Sequence, residues 1–287
     1  MISRFVKAAC WLTGKNSAGW NILPVFKMKN ILSSLLLLLV LAGCKSQPSS
    51  QPTSSNSSAS TAEAAAPAAA PAATPDLANA GSVKGVVDFK GAVPRVPTID
   101  MTADPMCPQT PQPAETVVAK NGKLANVFVY VKEGAPAGPY PVPSEPVVLD
   151  QKNCRYSPHM MGVMAKQPFK ITNTDQADHN IHDMPSKNPV WNETQMPTDK
   201  PIEKSFTTPE MMIALQCNQH PWMRAYVNVM SNPYYAVSGP DGSFEIKNLP
   251  PGEYTLAAVH EKFGEKTMKI KVEPKQAAKA DFEFSAK

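Results

Sequence analysis

Apolar and polar residues alternate along the folded part of the chain with the period of two that is typical of β-strands. The first such stretch covers residues 83–90. A second, residues 124–131, follows an Asn121-Gly122 pair that favours a hairpin turn. Long segments with the apolar period of a helix are missing from the sequence, which therefore predicts an all-β fold. The further predicted strands are residues 147–149, 169–172, 179–182, 202–206, 212–217, 226–230, 234–237, 244–246 and 254–259.

The N-terminal region has the features of an export signal. Lys27 and Lys29 precede an apolar run at residues 31–41, which is shorter than the roughly 20 residues that a membrane-spanning helix needs. The run ends in Leu41-Ala42-Gly43-Cys44, which resembles the lipobox of bacterial lipoproteins, where the cysteine is lipidated and becomes the new N-terminus. We therefore expect a lipoprotein anchored through Cys44; the alternative is an ordinary signal peptide with a chance cysteine.

These features give the expected boundaries of the N-terminal part. Residues 1–43 form the predicted signal peptide, and we place its true start at Met28 because residues 1–27 do not fit a signal. Residues 44–80 comprise the lipidated cysteine and a stretch of Ser, Ala, Pro, Gln and Thr. This stretch has too few large apolar side chains to offset the entropy of ordering, so we expect a disordered tether.

The net charge of the chain depends on this leader. The full sequence carries +4, but residues 1–43 contain five lysines and arginines and no acid, so the value without them is −1. A near-neutral mature chain without a large basic patch does not favour nucleic acid as a partner. The expected partners are the lipid membrane, through acylated Cys44, and a redox protein of unknown identity.

The cysteines raise the question of pairing. Cys10 lies in the leader and Cys44 is assigned to lipid, which leaves Cys107, Cys154 and Cys217. An exported protein enters an oxidising compartment, where an unpaired thiol is unusual unless it has a function such as binding a metal. If Cys217 is a metal ligand, the other two are left to form a disulfide. The alternative pairs Cys154 with Cys217 and would abolish a metal site.

The segment from Cys217 to Met223 contains the strongest chemical signal. It reads Cys-Asn-Gln-His-Pro-Trp-Met, so that Cys217, His220 and Met223 follow one another at intervals of three residues. A thiolate, imidazoles and a weak thioether are the ligands of a copper ion that alternates between Cu(I) and Cu(II). A fourth ligand has to come from another strand, and the segment around His179 supplies a candidate.

This region resembles the cupredoxins, the blue-copper Greek-key β-sandwich family of plastocyanin and amicyanin. The Cys-x-x-His-Pro-aromatic-Met loop is similar to that of amicyanin. The Asn173-x-Asp175 and His179-Asn180 stretch is similar to the strand that supplies the first histidine of the family, and residues 169–173 match the strand before it. The resemblance covers roughly residues 146–231 and implies one type 1 copper, with His179, Cys217 and His220 as strong ligands and Met223 as the axial ligand.

Two histidines compete for the first position. His179 and His182 are three residues apart, so on a strand they point to opposite faces. His179 fits the family position, with Asn180 beside it able to hydrogen-bond the Cys217 loop, and His182 is then a surface or supporting group. We interpret His159 as a structural or exposed histidine. Zinc also suits such donors.

Most of the other methionines are expected to fill the core: Met160, Met161, Met164, Met184, Met196, Met211, Met212 and Met230.

A second small β-sandwich is expected around the copper module. Residues 234–285 resemble the closing half of a carboxypeptidase regulatory-like, or transthyretin-like, domain through their Gly239-Pro240-Asp241-Gly242 and Pro250-Pro251-Gly252 turns. Residues 81–133 resemble the opening half. We therefore predict one sandwich from residues 81–145 with 232–287 and the copper domain, residues 146–231, inserted into it; three consecutive units are the alternative. The His260-Glu261 pair is interpreted as a polar strand end.

The resemblance implies electron transfer on the outer side of a bacterial membrane, facing the periplasm or the cell surface. His220 would be the electron exit, at a surface flanked by apolar Pro221 and Trp222 where a redox partner docks weakly. Copper storage or delivery, and a scaffold or adhesion role with a structural copper, are the alternatives. An enzyme is not expected, because four protein ligands leave no open position for a substrate.

Overall fold

The computed structural model describes residues 77–286, which belong to one compact unit. A short 3₁₀ turn at Leu77–Asn79 is followed only by strands, so the predicted all-β class is confirmed. The predicted signal peptide, the lipidated Cys44 and most of the tether lie outside the described residues. Among residues 77–286, no helix is long and apolar enough to cross a membrane.

The described chain contains 21 strands, most of them short. In chain order they are β1 (Gly81–Lys90), β2 (Thr98–Ile99), β3 (Gln112–Pro113), β4 (Ala119–Lys120), β5 (Lys123–Leu124), β6 (Phe128–Glu133), β7 (Val147–Lys152), β8 (Arg155–Ser157), β9 (Met160–Met164), β10 (Phe169–Asn173), β11 (His179–Met184), β12 (Asn192–Gln195), β13 (Ile202–Lys204), β14 (Glu210–Gln216), β15 (Arg224–Met230), β16 (Tyr235–Val237), β17 (Ser243–Leu249), β18 (Gly252–His260), β19 (Gly264–Val272), β20 (Ala277–Lys279) and β21 (Phe282–Ser285).

One sandwich is built from both ends of the described chain, and we call it the split sandwich (residues 81–133 with 235–285). Its first sheet has the order β17-β1-β5-β4, with β20 and β21 running parallel to β1. Its second sheet has the order β16-β6-β18-β19. Alternate residues of β1 and β6 face the shared core, which contains Val83, Val87 and Val129 together with Phe244 and Leu256.

The other sandwich is continuous, and we call it the central sandwich (residues 147–230). One sheet has the order β13-β10-β7-β8 and the other β12-β11-β14-β15-β9. Leu149, Phe169 and Ile213 are among the fully buried side chains between the sheets. Met101 and Cys107 also pack in this core, although the sequence assigned them to the other sandwich. An earlier segment of the chain therefore reaches the region where the candidate ligands lie.

The two sandwiches pack through a smaller apolar cluster. Phe128 and Tyr130 of β6 face Met160 of β9 and Met230 of β15 there. Gly162 of β9 lies beneath this contact, where a β-carbon would be 2.6 Å from Phe128 and 2.5 Å from the Tyr235 ring. Such distances are well below a normal carbon–carbon contact, so only glycine fits here.

The Gly162→Ala variant is expected to lose about 1–3 kcal/mol in free energy of unfolding, because the added methyl group displaces two stacked rings. The Phe128 and Tyr235 rings lie 5.5 Å apart between their centroids and have little room to separate. Urea unfolding of the copper-free protein measures the change. A variant as stable as the parent would contradict the tight packing of the two sandwiches at this glycine.

One predicted strand is interrupted in the structure. The apolar stretch at residues 124–131 was expected to be continuous, but β5 ends at Leu124 and β6 begins at Phe128. Asn126 between them has a φ of 59°, in the left-handed region that interrupts a strand and that asparagine tolerates better than most residues. Its peptide N–H donates to Ser238 O at 3.1 Å, so the chain changes from one sheet of the split sandwich to the other at this residue.

His260 is buried rather than a simple polar strand end. Its Nδ1 accepts the Lys262 N–H at 3.0 Å, and its ring stacks on Phe263 with centroids 4.7 Å apart. Burial lowers the pKa of His260 to about 4, although Glu261 opposes the shift and His159 adds to it. The neutral ring is therefore the form that the fold accepts.

Because the folded-state pKa of His260 is lower than its ordinary value of 6.5, the unfolded chain takes up a proton between pH 6.5 and pH 4 while the folded chain does not. The contribution of His260 to the free energy of unfolding is therefore fully present above pH 6.5. It falls by up to about 3 kcal/mol as the pH is lowered towards 4. The His260→Asn variant keeps an acceptor for Lys262. Its unfolding free energy in the copper-free protein is expected to fall less between pH 7 and pH 4; parallel profiles for variant and parent would contradict the assignment.

Candidate metal centre

Three of the four predicted ligands lie in the loop that joins β14 to β15. The Cys217 N–H donates to Met223 O at 3.3 Å, and the Met223 N–H donates to His220 O at 2.9 Å. These bonds close the loop into a narrow turn at the end of an antiparallel strand pair. The side chains of Cys217, His220 and Met223 therefore start from one small region of backbone.

His179 comes from the first residue of β11, which pairs with β14. The Nδ1 atoms of His179 and His220 face each other at 3.0 Å, and the Cys217 Sγ lies 3.8 Å from the Nδ1 of His220. A nitrogen or sulfur donor of each of the three residues lies within 4.8 Å of the others. All three side chains are buried, with exposed fractions of 0 to 5%. The structure thus brings these three predicted residues together.

The surroundings of the Cys217 sulfur stabilise its charged thiolate form. The backbone N–H groups of Asn180 and His220 point at Sγ, at 3.3 and 3.4 Å. Burial raises the pKa of Cys217, but hydrogen bonds from His179 and from these two peptides outweigh burial and lower the pKa to about 7. A lowered thiol pKa suits a metal ligand because the thiolate is the binding form.

The outer nitrogen of His179 is held by a carboxylate. Asp175 Oδ2 accepts from His179 Nε2 at 2.8 Å and from the Cys154 N–H at 2.7 Å, and its Oδ1 accepts from the Asn153 N–H at 2.5 Å. Burial lowers the pKa of His179, but the bonds to Asp175 and Cys217 outweigh it and raise the pKa to about 9. At Asp175, burial raises the pKa, but the hydrogen bonds from His179 and from the Cys154 and Asn153 peptides outweigh burial and lower the pKa of the carboxyl. Asp175 therefore orients Nδ1 of His179 toward the thiolate.

His220 is not at the surface, which corrects the expectation of an exposed exit. Only 5% of the residue is exposed, because a segment near Asp104 lies over it. Asp104 Oδ2 is 2.9 Å from His220 Nε2, and the Cys107 Sγ is 3.8 Å from the same nitrogen. An open cleft beside this contact is lined in part by Met106, Asp178 and Trp222.

The remaining predicted site residues lie around this core. Met223 is fully buried in the central sandwich, and its role as axial ligand stays a prediction. Asn180 accepts the Asn218 N–H on its side-chain oxygen at 3.2 Å and so ties β11 to the ligand loop. His182 is half-buried, with its Nδ1 3.2 Å from the Asn218 Oδ1. Pro221 is exposed, whereas Trp222 is half-buried and donates from its indole to Cys154 O.

Cys107 and Cys154 form a disulfide, and Cys217 is the free cysteine of the described residues. The alternative pairing of Cys154 with Cys217 is not the one in the structure. Both half-cystines are buried beside the candidate site, Cys107 next to His220 and Cys154 next to Asp175. The disulfide therefore leaves the Cys217 thiolate available to a metal.

Other donors have different surroundings. His159 is buried, with Nε2 bonded to Glu261 and Nδ1 3.0 Å from Arg224 O, so both ring nitrogens have partners within the protein. Among the methionines expected in the core, Met184 and Met196 are exposed instead. The buried ones are Met160, Met161, Met164 and Met230, and the partly buried ones are Met211 and Met212.

The donor set fits copper by its chemistry. Two inward-facing imidazole nitrogens and one thiolate, all buried, with a methionine in the same loop, are the donors of a site that stabilises both copper oxidation states. The two carboxylates behind the histidines were not predicted from the sequence. Asp175 belongs to the quoted motif, four residues before His179. Asp104 had no local signal, because it is 116 residues away from His220.

Comparisons with known proteins give structural similarity only. No family model and no curated protein match the chain. A solved Cu(I) structure of an amicyanin mutant is 18% identical with a TM-score of 0.27, over 36% of this chain and 98% of that chain. A purple cupredoxin from Nitrosopumilus maritimus is 21% identical with a TM-score of 0.25, over 29% and 98%. A copper-containing nitrite reductase from Thermus scotoductus is 17% identical with a TM-score of 0.28, over 35% of this chain and a quarter of that chain.

Proposed function

We propose that this protein binds one copper ion at a type 1 site and transfers single electrons. His179, Cys217 and His220 would hold the ion, and Met223 of the same loop would add a weaker thioether ligand. The observation that supports this proposal best is the convergence of two Nδ1 atoms and one Sγ atom in a buried site. When bound there, copper supplies a one-electron Cu(II)/Cu(I) couple.

The chain's own contribution is to hold the donors in place before the metal arrives. Asp175 and Asp104 fix the two imidazole rings, and two peptide N–H groups fix the thiolate sulfur. Ligands that are already oriented by hydrogen bonds have little freedom to rearrange when the charge of the ion changes. Small rearrangement favours fast electron transfer over substrate chemistry.

The site is also closed, which supports electron transfer over catalysis. The three donors are buried and the outer nitrogens of both histidines already have partners within the protein. A catalytic metal site keeps an open position for water or substrate. We therefore propose a carrier protein, not an enzyme, whose redox partner docks on the cleft bordered by Pro221 and Trp222.

We propose the bacterial cell envelope as the location, with Cys44 as the lipid anchor. The Cys107–Cys154 disulfide supports an oxidising compartment outside the cytoplasm. In cells, the Cys44→Ser variant is expected to move from the membrane fraction to the soluble fraction. If the variant stays with the membrane to the same extent as the parent, this anchor is wrong.

Cyclic voltammetry of the copper-loaded full chain tests the electron-transfer function. We expect one reversible one-electron wave and a single bound copper for each chain in both oxidation states. An irreversible wave, with loss of copper on reduction, would contradict a carrier. Binding of further Cu(I) equivalents without a reversible wave would instead support copper storage or delivery through exposed methionines such as Met106.

A further inference from the structure

The candidate metal centre is partly covered by a segment from outside the central sandwich, which we call the latch (residues 101–107). Two successive turns shape it: the Asp104 N–H donates to Met101 O at 3.1 Å, and the Cys107 N–H donates to Asp104 O at 3.1 Å. Both ends of the latch are fastened. Met101 is fully buried in the central core, and Cys107 is bonded to Cys154.

Asp104 lies at the middle of the latch and uses its two oxygens differently. Oδ1 accepts the N–H of Met106 at 2.8 Å and so fixes the carboxylate within its own turn. Oδ2 is 2.9 Å from the Nε2 of His220. Since Nδ1 of the same ring faces the other donors, Nε2 is the protonated nitrogen that donates to Asp104 when Nδ1 binds a metal.

The two carboxylates and the disulfide form a continuous chain of contacts around the donors. Asp175 holds His179 and the Cys154 N–H, Cys154 is bonded to Cys107, and the latch returns through Asp104 to His220. The disulfide is thus the covalent link that keeps Asp104 opposite Nε2. Without it, only the buried Met101 and the Asp104–His220 contact itself would hold the latch to the central sandwich.

We propose that Asp104 is a positioning residue for His220, held in place by the disulfide-fastened latch, and that it lowers the reduction potential of the bound copper. This inference rests on the proposed type 1 site. A carboxylate that accepts from the outer nitrogen of a histidine ligand orients the ring and raises its basicity. The negative charge also stabilises Cu(II) more than Cu(I), because the oxidised ion carries the larger positive charge.

Measuring the reduction potential of the copper-loaded full chain in three forms tests this proposal: the parent, Asp104→Asn and Asp178→Asn. The asparagine at residue 104 keeps the size of the side chain and an oxygen for the Met106 N–H. Asp178 is a matched control, because it is an exposed carboxylate in the same cleft without a hydrogen bond to His220. Both variants remove one negative charge.

We expect Asp104→Asn to raise the ratio of Cu(I) affinity to Cu(II) affinity about tenfold. For a one-electron couple this corresponds to a reduction potential that is higher by about 59 mV. Asp178→Asn should change it by less than about twofold, since a solvated charge is screened. Equal shifts in the two variants, or no shift at Asp104, would overturn the proposal. A parent without a thiolate-to-copper absorption band would instead refute the proposed type 1 site, so the two failures are distinguishable.

A second measurement tests the Asp104–His220 hydrogen bond directly and does not depend on redox activity. In the Cu(I)-loaded protein, which is diamagnetic, NMR can follow exchange of the His220 Nε2 proton with solvent. The Asp104→Ala variant removes the acceptor, and exchange should become about tenfold faster or more. The same exchange rate in the Asp104→Ala variant and the parent would overturn the assigned hydrogen bond.

Discussion

Replacing both half-cystines, in the Cys107→Ala/Cys154→Ala variant, is expected to lower the free energy of unfolding by about 4 kcal/mol. The two cysteines are separated by 47 residues, and cross-linking a loop of this length removes much of the conformational freedom of the unfolded chain. Alanine is preferable to serine because both positions are buried and a hydroxyl there would lack a partner.

Urea unfolding of the copper-free parent and variant measures this difference. Cys217→Ala is the matched control, since it removes a buried sulfur without breaking a cross-link. The double variant should lose at least about 2 kcal/mol more than the control. A loss equal to that of the control would mean that the bridge does not restrain the chain in solution.

Copper is expected to stabilise the folded protein by about 4 kcal/mol when free Cu(I) is present at roughly a thousand times its dissociation constant. The reason is linkage: the donors of His179, Cys217 and His220 converge only in the folded chain, so the ion binds that state preferentially. Binding to the unfolded chain through its cysteine and histidines would reduce the effect.

Anaerobic calorimetry or denaturant unfolding with buffered Cu(I) measures the stabilisation. The Cys217→Ser variant keeps the loop but lacks the thiolate, and its stability should respond to copper by less than about 1 kcal/mol. If parent and variant are stabilised equally, copper binds at a place other than the proposed site.

Several strands could be predicted because one face of each is buried and the other is not. β1 and β10 alternate in this way, and the sequence predicted most of their length. β9 was missed because four of its five residues are buried: one face packs in the central core and the other against the split sandwich, so no alternation is visible. β19 was missed for the opposite reason, since most of it is exposed and rich in lysine.

At the candidate metal site, the residues that are close in sequence could be predicted, whereas a contact between distant segments could not. Cys217, His220 and Met223 could be identified because they share one short loop, and His179 because its strand resembles a known ligand strand. The covering of His220 could not be predicted. It depends on a segment more than 100 residues earlier, whose position follows from the disulfide and from the burial of Met101.

The visible absorption spectrum of the Cu(II)-loaded full chain tests the central claim most directly, when it is recorded beside the Cys217→Ser variant. The proposed site predicts an intense thiolate-to-copper band in the parent that is absent from the variant, because Cys217 is the free cysteine among residues 77–286 and supplies the thiolate. A parent that binds copper without this band, or a variant that retains it, would contradict a type 1 site built from His179, Cys217 and His220.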